Sequence, residues 1–407
     1  MPEYNAASAT GCRHSAIGQL GESRLADGRQ PIAECRANSC YKSDMPENAD
    51  VLIIGGGVIG LTAAYFLARE HLRVEIVDQS DFGQEASWAG AGILPPGNLE
   101  RARTPFDQLR ALSAALFPKL SAELKELTGV DNGYLRSGGL EFFEPGVSSS
   151  AEEWRSEGIA CELVKGEDLH RLEPALSPNL KSAYFLPGMA QLRNPRHLQA
   201  LLAACRLHGV RLRPCCPVVG FEREGRHIKA LKTQASRLQS DRYLVAAGAW
   251  TDSLLESFNC RLRIRPIRGQ IALLNTGAPI IHKVLVEGSR YLVPRADGRV
   301  LVGSTEEDVG FDKRTTARAI HELLAFALKL VPELADHPVE RCWSGLRPGS
   351  PDELPFIGRL PDHDNVFVAA GHFRSGIQLS PGTALLVKEM LLGGLRSVPI
   401  EPFRIDR

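Results

Sequence analysis

The feature that most restricts this chain is a trio of glycines at fixed spacing, Gly55-x-Gly57-x-x-Gly60, set between two different apolar patterns. Before it, Ala49-Asp50-Val51-Leu52-Ile53-Ile54 is a nearly continuous apolar run, as a strand buried on both faces of a parallel sheet requires. After it, Val58, Leu61, Thr62, Ala64, Tyr65 and Leu67-Ala68 recur at helical spacing, and Arg73-Val74-Glu75-Ile76-Val77-Asp78 reads as a second strand. The segment is a βαβ unit. In such a unit the first glycine turns the chain sharply, the second leaves bare backbone for a pyrophosphate, and the third lets helix and strand pack closely. The helix N-terminus adds free N–H groups and partial positive charge. Asp78 ends the second strand where a carboxylate can accept from both ribose hydroxyls of an adenosine, with Gln79 beside it. Gly55, Gly57, Val58, Ile59, Gly60, Asp78 and Gln79 are therefore the expected dinucleotide site. The turn alone does not separate NAD from FAD, and a turn that merely joins strand to helix is the plain alternative.

Bulk properties narrow the partner. At 407 residues the chain exceeds what one core serves, so two packed regions are expected. Its 48 Lys+Arg balance 48 Asp+Glu, which gives no electrostatic reason for nucleic acid or an anionic membrane surface. No apolar run reaches the roughly 18 residues of a membrane span. The nine cysteines are odd in number and form no C-x-x-C pair, so a reducing cytoplasm is expected and a structural metal is not. Zinc held by Cys12 and His14 or by Cys35 and Cys40 lacks the paired spacing of such sites.

Residues 1–46 show no hydrophobic period and read as a disordered extension. Acids spread through them disfavour a transit peptide, and Met45 before the first strand is a candidate start of translation. Leu109, Leu112, Leu116, Leu120, Leu124 and Leu127 predict an amphipathic helix over 105–128, ended by Gly129. A further helix is expected from Pro195 to His208 and a buried strand from Tyr243 to Gly248. Segments 139–143, 270–274, 290–294 and 299–303 read as strands of a separate antiparallel sheet.

Two segments decide the cofactor: Glu85-Ala86-Ser87-Trp88-Ala89-Gly90-Ala91-Gly92-Ile93-Leu94 and Gly371-His372-Phe373-Arg374-Ser375-Gly376-Ile377-Gln378-Leu379. With them the chain resembles the D-amino-acid oxidase superfamily of flavoenzymes, and within it the glycine oxidases of thiamine biosynthesis. The resemblance runs from about residue 49 to the terminal Phe403-Arg404-Ile405-Asp406-Arg407. It implies an α/β fold, with a Rossmann-like FAD-binding domain over 47–132, 186–256 and 344–400. A second α+β substrate domain on an antiparallel sheet would take 133–185 and 257–343, leaving 401–407 as a tail.

The same resemblance implies non-covalent FAD. Ala86, Ser87, Ala91, Gly92 and Ile93 would line the ribityl chain and the ring, where small residues let the backbone approach. Val218, otherwise readable as core, would touch the adenine side. His372, Phe373, Arg374, Ser375, Gly376, Ile377 and Gln378 would bring N–H groups and a helix dipole to the pyrimidine edge. In Ser344-Gly345-Leu346-Arg347-Pro348-Gly349 the arginine would grip a substrate carboxylate with two parallel bonds, Pro348 and Gly349 holding a turn that presents it. Tyr291 would join Arg347 at the carboxylate, and Arg374 would also lie near substrate; both equally suit structural roles. Cys342 stands near where related sarcosine oxidases attach flavin covalently, yet its surroundings match the glycine oxidases. The implied reaction moves the Cα hydrogen of a small amino acid to flavin N5 as hydride, oxygen then yielding hydrogen peroxide. The partners implied are a small amino acid or amine and molecular oxygen, with a homo-oligomer possible. Sarcosine or a D-amino acid is the rival substrate, and a flavin module without turnover the rival class. The 279–291 loop is expected to shape the pocket, and the polar Gln378-Leu379-Ser380-Pro381-Gly382 departs from the family's more apolar stretch.

Overall fold

A strand with apolar side chains on both faces needs a layer on each side. The computed structural model describes residues 48–143 and 151–407; the readings for 1–46, Met45, Cys12, His14, Cys35 and Cys40 lie outside the described residues. Strand Ala49–Ile54 runs parallel to Val74–Val77 on one side and Ser240–Val245 on the other. The sheet continues in parallel through Arg211–Arg213 and Val366–Ala370 and closes with antiparallel Phe356–Arg359. Alternation then divides the strand. Val51 and Ile53 enter one core with helices Val58–Ala68, Pro105–Thr128, Asn194–Leu207 and Gly376–Leu392. Leu52 and Ile54 enter another, which includes Ile228 and Leu231 of the three-stranded sheet Val218–Glu224, His227–Thr233, Arg237–Leu238. Each such side chain withdrawn from water contributes about 1.5–3 kcal/mol.

The expected 105–128 helix forms over Pro105–Thr128: Thr104 accepts from the Asp107 N–H at 3.1 Å, Pro105 occupies the first turn, and Gly129 takes φ 73° past the end. The strand expected to reach Gly248 stops at Val245. The Ala246 N–H still donates to the Ile54 carbonyl at 2.8 Å, bare Gly55 lets the two chains stay that close, since a Cβ there would overlap the Ala246 carbonyl, and beyond them Gly248 at φ 54° opens a single helical turn. The apolar helix expected from Ala384 begins earlier, at Gly376.

The second sheet has nine strands, with Arg265–Asn275 at its heart between Arg299–Gly303 and the long Val339–Gly349. Arg290–Pro294, Val284–Glu287, Gly139–Phe142, Ser182–Leu186 and Glu162–Lys165 extend it. The antiparallel expectation holds except at one joint, where Val284–Glu287 runs parallel to Gly139–Phe142. A long excursion of chain separates these two, so no hairpin dictates their direction. The 279–291 segment expected as a loop thus holds a strand of this sheet. Among the described residues no helix is long and apolar enough to cross a membrane.

Candidate functional site

One cleft of about 680 Å³ runs from the glycine turn to the face of the nine-stranded sheet. Such a volume lies within the roughly 300–1,000 Å³ typical of cofactor and ligand sites. At one end lie Gly55, Gly57, Val58, Ile59, Asp78 and Gln79. Gly60, counted with them from the sequence, does not line the cleft; a Cβ there would overlap the Gly55 carbonyl, so its part is to let helix and turn pack. Asp78 accepts from the Gly56 N–H at 2.7 Å through Oδ2 and from the Ser80 N–H at 2.9 Å through Oδ1. It clamps the turn while keeping lone pairs for further donors. Val218 lines the cleft and also packs on the second core.

Midway, Ala86, Ser87, Ala91, Gly92 and Ile93 line the wall. Ser87 Oγ accepts from the Val58 N–H at 2.9 Å, tying this segment to the N-terminus of the first helix. Gly92 has φ 72°, and a Cβ would overlap the Leu192 carbonyl and Asn194 Oδ1. Two braces were not legible in the sequence. Asn194 Nδ2 donates to the Ser87 carbonyl at 2.8 Å. Arg295 donates to the Ala91 carbonyl at 2.6 Å and to Gln191 Oε1 and the Leu192 carbonyl at 2.8 and 3.0 Å. Burial of its guanidinium brings the Arg295 pKa down to about 10, still charged at neutral pH.

Opposite, His372, Phe373, Arg374, Ser375, Gly376, Ile377 and Gln378 all reach the cleft, the last three forming the first turn of Gly376–Leu392. His372 is buried against Thr383 Oγ1 at 3.0 Å, and desolvation pulls its pKa to about 3, so the ring is neutral. Phe373 holds φ 47°, a left-handed conformation that costs a bulky residue free energy and is found where a site over-determines the backbone. Past Gln378, which lines the cleft, the rest of the polar 378–382 run serves packing. Pro381 has no N–H for the Ile377 carbonyl, and Ser380 Oγ donates to that carbonyl instead at 2.9 Å. Gly382 lies against Leu109 and Ser113 of the long helix.

At the far end the sheet presents Tyr291 and Arg347, both lining the cleft. The turn expected to carry Arg347 is instead part of the strand Val339–Gly349. Pro348 faces Pro266 across the ladder, a non-hydrogen-bonded pairing in which neither missing N–H is needed. Two glycines make room for the two side chains. A Cβ on Gly269 would overlap the Arg347 guanidinium, and one on Gly303 would overlap the Tyr291 ring. Arg347 donates through Nη1 to the Thr305 carbonyl at 3.1 Å and through Nη2 to Ser304 Oγ at 2.6 Å. Arg374 pairs with Glu306, a cleft residue that the sequence did not single out. Cys342 points to the opposite side of its strand, into the apolar core of the second sheet, where burial raises its pKa. Among the described residues no cluster could hold a metal ion.

A dinucleotide with a planar ring fits this cleft. Two helix N-termini open on it, a bare-backbone wall lies between them, and Gln378 Nε2 is buried in its lining without a partner among the described residues.

Comparison with known proteins gives the same direction. The model of the FAD dependent oxidoreductase family (DAO) matches residues 50–390. A glycine oxidase of Pseudomonas putida is 35% identical over 355 residues, 87% of this chain and 97% of its own length. A bifunctional protein ThiO/ThiG of Synechocystis is 34% identical over 372 residues, 89% of this chain and 54% of its own. The crystal structure of glycine oxidase from Geobacillus kaustophilus superposes with a TM-score of 0.83 at 30% identity, covering 89% of this chain and 99% of that one.

Proposed function

The chain belongs to the family of FAD-dependent oxidoreductases, and from that premise we propose that it oxidises glycine to glyoxylate, ammonia and hydrogen peroxide. The observation that carries this is a single cleft lined at one end by the glycine turn and at the other by Arg347 and Tyr291. Its relatives named glycine oxidase, and the one fused as ThiO/ThiG, support glycine as substrate and thiazole synthesis for thiamine as the destination of the imine or glyoxylate. In this reading the six-stranded sheet and its helices hold the cofactor and the nine-stranded sheet holds the substrate. The free cysteines among the described residues support a cytoplasmic setting.

The glycine turn, Asp78, the 86–93 wall and the 372–378 segment would hold FAD, which when bound supplies the two-electron oxidation, accepting hydride from Cα and passing electrons to oxygen. The protein's own work is placement. Arg347 has already committed one N–H on each terminal nitrogen, to Thr305 and Ser304, which fixes the plane of its fork. The remaining N–H donors meet the glycine carboxylate in parallel. Tyr291, seated on Gly303, adds a hydroxyl beside it. Neutral His372 is engaged with Thr383 and holds the turn at Phe373 without contributing a charge. No side chain is assigned to abstract a Cα proton, because the Cα hydrogen departs with its bonding electrons as hydride, and the lone pair of the neutral amine compensates the carbon it leaves.

Anaerobic mixing of the flavin-loaded protein with glycine should bleach the oxidised flavin band, and oxygen should restore it with stoichiometric peroxide. Flavin that stays oxidised with glycine but bleaches with sarcosine or a D-amino acid would replace the substrate. Flavin that bleaches with no amine would remove turnover altogether.

A further inference from the structure

The substrate end of the cleft carries two guanidinium groups, and the chain supplies a carboxylate of its own to one of them. Arg347 donates to the Thr305 carbonyl, and the very next residue, Glu306, takes Arg374. Thr305 is itself pinned: its hydroxyl accepts from the Gln270 N–H at 3.0 Å and donates to Glu307 Oε1 at 2.6 Å. Glu307 is in turn held by Arg268, which is buried. The short path Arg347, Ser304-Thr305-Glu306, Arg374 is therefore fixed at its middle, and Glu306 stands beside the carboxylate-gripping arginine by construction. Arg347, Arg374, Glu306 and Glu141 all line this cleft, and Arg374 is the group whose charge Glu306 cancels. Glu141 is bound by the Trp154 indole N–H at 3.1 Å and has no cation within salt-bridge distance among the described residues.

Resting on the reading of this site as one for a small amino acid, we propose that Glu306 sets substrate class: by occupying Arg374 it confines the cleft to amines with one carboxylate and turns away amino dicarboxylates. A monocarboxylate needs only Arg347. A second carboxylate would seek Arg374, find it taken, and meet the like charge of Glu306 and Glu141. With Glu306 neutralised, Arg374 becomes a second anion receptor in the same cleft. The ion pair is partly open to solvent, with side chains 47% and 35% exposed, so the effect is moderate and sensitive to salt.

The test uses the flavin-loaded full chain and carboxylate probes that are not oxidised, acetate and malonate, read by perturbation of the flavin spectrum. In Glu306→Gln, malonate affinity should rise about tenfold at low ionic strength while acetate changes less than about threefold, and the gain should shrink in high salt. Glu306→Ala should behave alike, which covers a folding failure of either variant. Adding Arg374→Leu to Glu306→Gln should abolish the gain. Iminodiacetate should then become a substrate of Glu306→Gln. Malonate affinity unchanged in both single variants, with flavin bound normally, overturns the proposal, as does a gain that survives Arg374→Leu. The probes need no turnover. If glycine fails to bleach the flavin while the malonate gain appears, the substrate assignment falls and the gate stands; the reverse pair of results removes the gate alone.

Discussion

Replacing Gly269 by alanine tests whether the sheet, rather than Arg347 alone, sets substrate affinity. A methyl group on Gly269 would overlap Cζ, Nη1 and Nη2 of Arg347. The Gly269 backbone cannot withdraw, because it is paired with Gly345 of Val339–Gly349, and its strand is held on the other edge by Glu307–Asp308 before it and by Arg299–Gly303 after it. The guanidinium must leave instead, giving up the Ser304 Oγ bond at 2.6 Å and the Thr305 carbonyl bond at 3.1 Å. Hydrogen bonds to charged groups contribute about 1.5–3 kcal/mol each. Arg347 is only half-buried, and a displaced guanidinium regains some water, so we expect a net loss of about 2–3 kcal/mol in carboxylate recognition. At 1.4 kcal/mol per tenfold, KM for glycine should rise about 30- to 150-fold. Flavin content and the flavin dissociation constant should stay near wild type, since Gly269 is not part of the cleft lining. The assay is peroxide formation over a glycine series for Gly269→Ala, Arg347→Ala and the pair. If the methyl acts through Arg347, the double variant matches Arg347→Ala alone. A KM within twofold of wild type, or full additivity of the two changes, would refute the reasoning.

Gly60→Ala should act on folding rather than on substrate: its methyl meets the Gly55 carbonyl, and the clash should lower the melting temperature and empty the protein of flavin, with about 2–4 kcal/mol lost to strain. Ser87→Ala releases the Val58 N–H and should cost about 1 kcal/mol in urea unfolding and weaken flavin severalfold by titration. Stability should also fall in mild acid. His197 is fully buried and desolvation lowers its pKa to about 4, whereas an unfolded histidine titrates near 6.5. The unfolded chain therefore binds the extra proton between those values. The contribution is intact above about pH 6.5 and is lost as pH falls toward 4. His372, whose pKa is also lowered, adds a loss of the same sign, so His197→Gln should reduce but not remove the fall in urea midpoints from pH 7 to 5; an unchanged slope would assign the acid sensitivity elsewhere.

How much of this was legible depended on the range of the interaction. The glycine turn, the Pro105–Thr128 helix and the hairpin strands Arg290–Pro294 and Arg299–Gly303 come from local patterns, and they stand where the patterns put them. Gly269 and Gly303 gave no local signal, because their need for a bare Cα is created by Arg347 and Tyr291 on neighbouring strands. Glu306 escaped for the same reason: only the fold brings it to Arg374. Asn194 and Arg295 carry no local mark of a role, and their work on the carbonyls of Ser87 and Ala91 is visible only in three dimensions. The parallel joint at Val284–Glu287 follows from where distant strands happen to meet, which no period of two can announce.

The strand Val339–Gly349 has a further consequence for anyone wishing to retarget this cleft. Its Trp343 donates to the Ala89 carbonyl at 3.0 Å and packs edge-on against Trp88, and its Gly345 admits Ala89 so closely that a methyl would collide. The ribbon that carries Arg347 is thus riveted to the 86–93 segment of the cleft wall, and a substitution along it disturbs both at once. Novel selectivity is cheaper to reach from the other side, where the side chains of Ser304 and Glu306 contact Arg347 and Arg374. A mutational library confined to that margin should yield altered specificity with flavin retained, while one spread along the ribbon should yield mostly colourless protein.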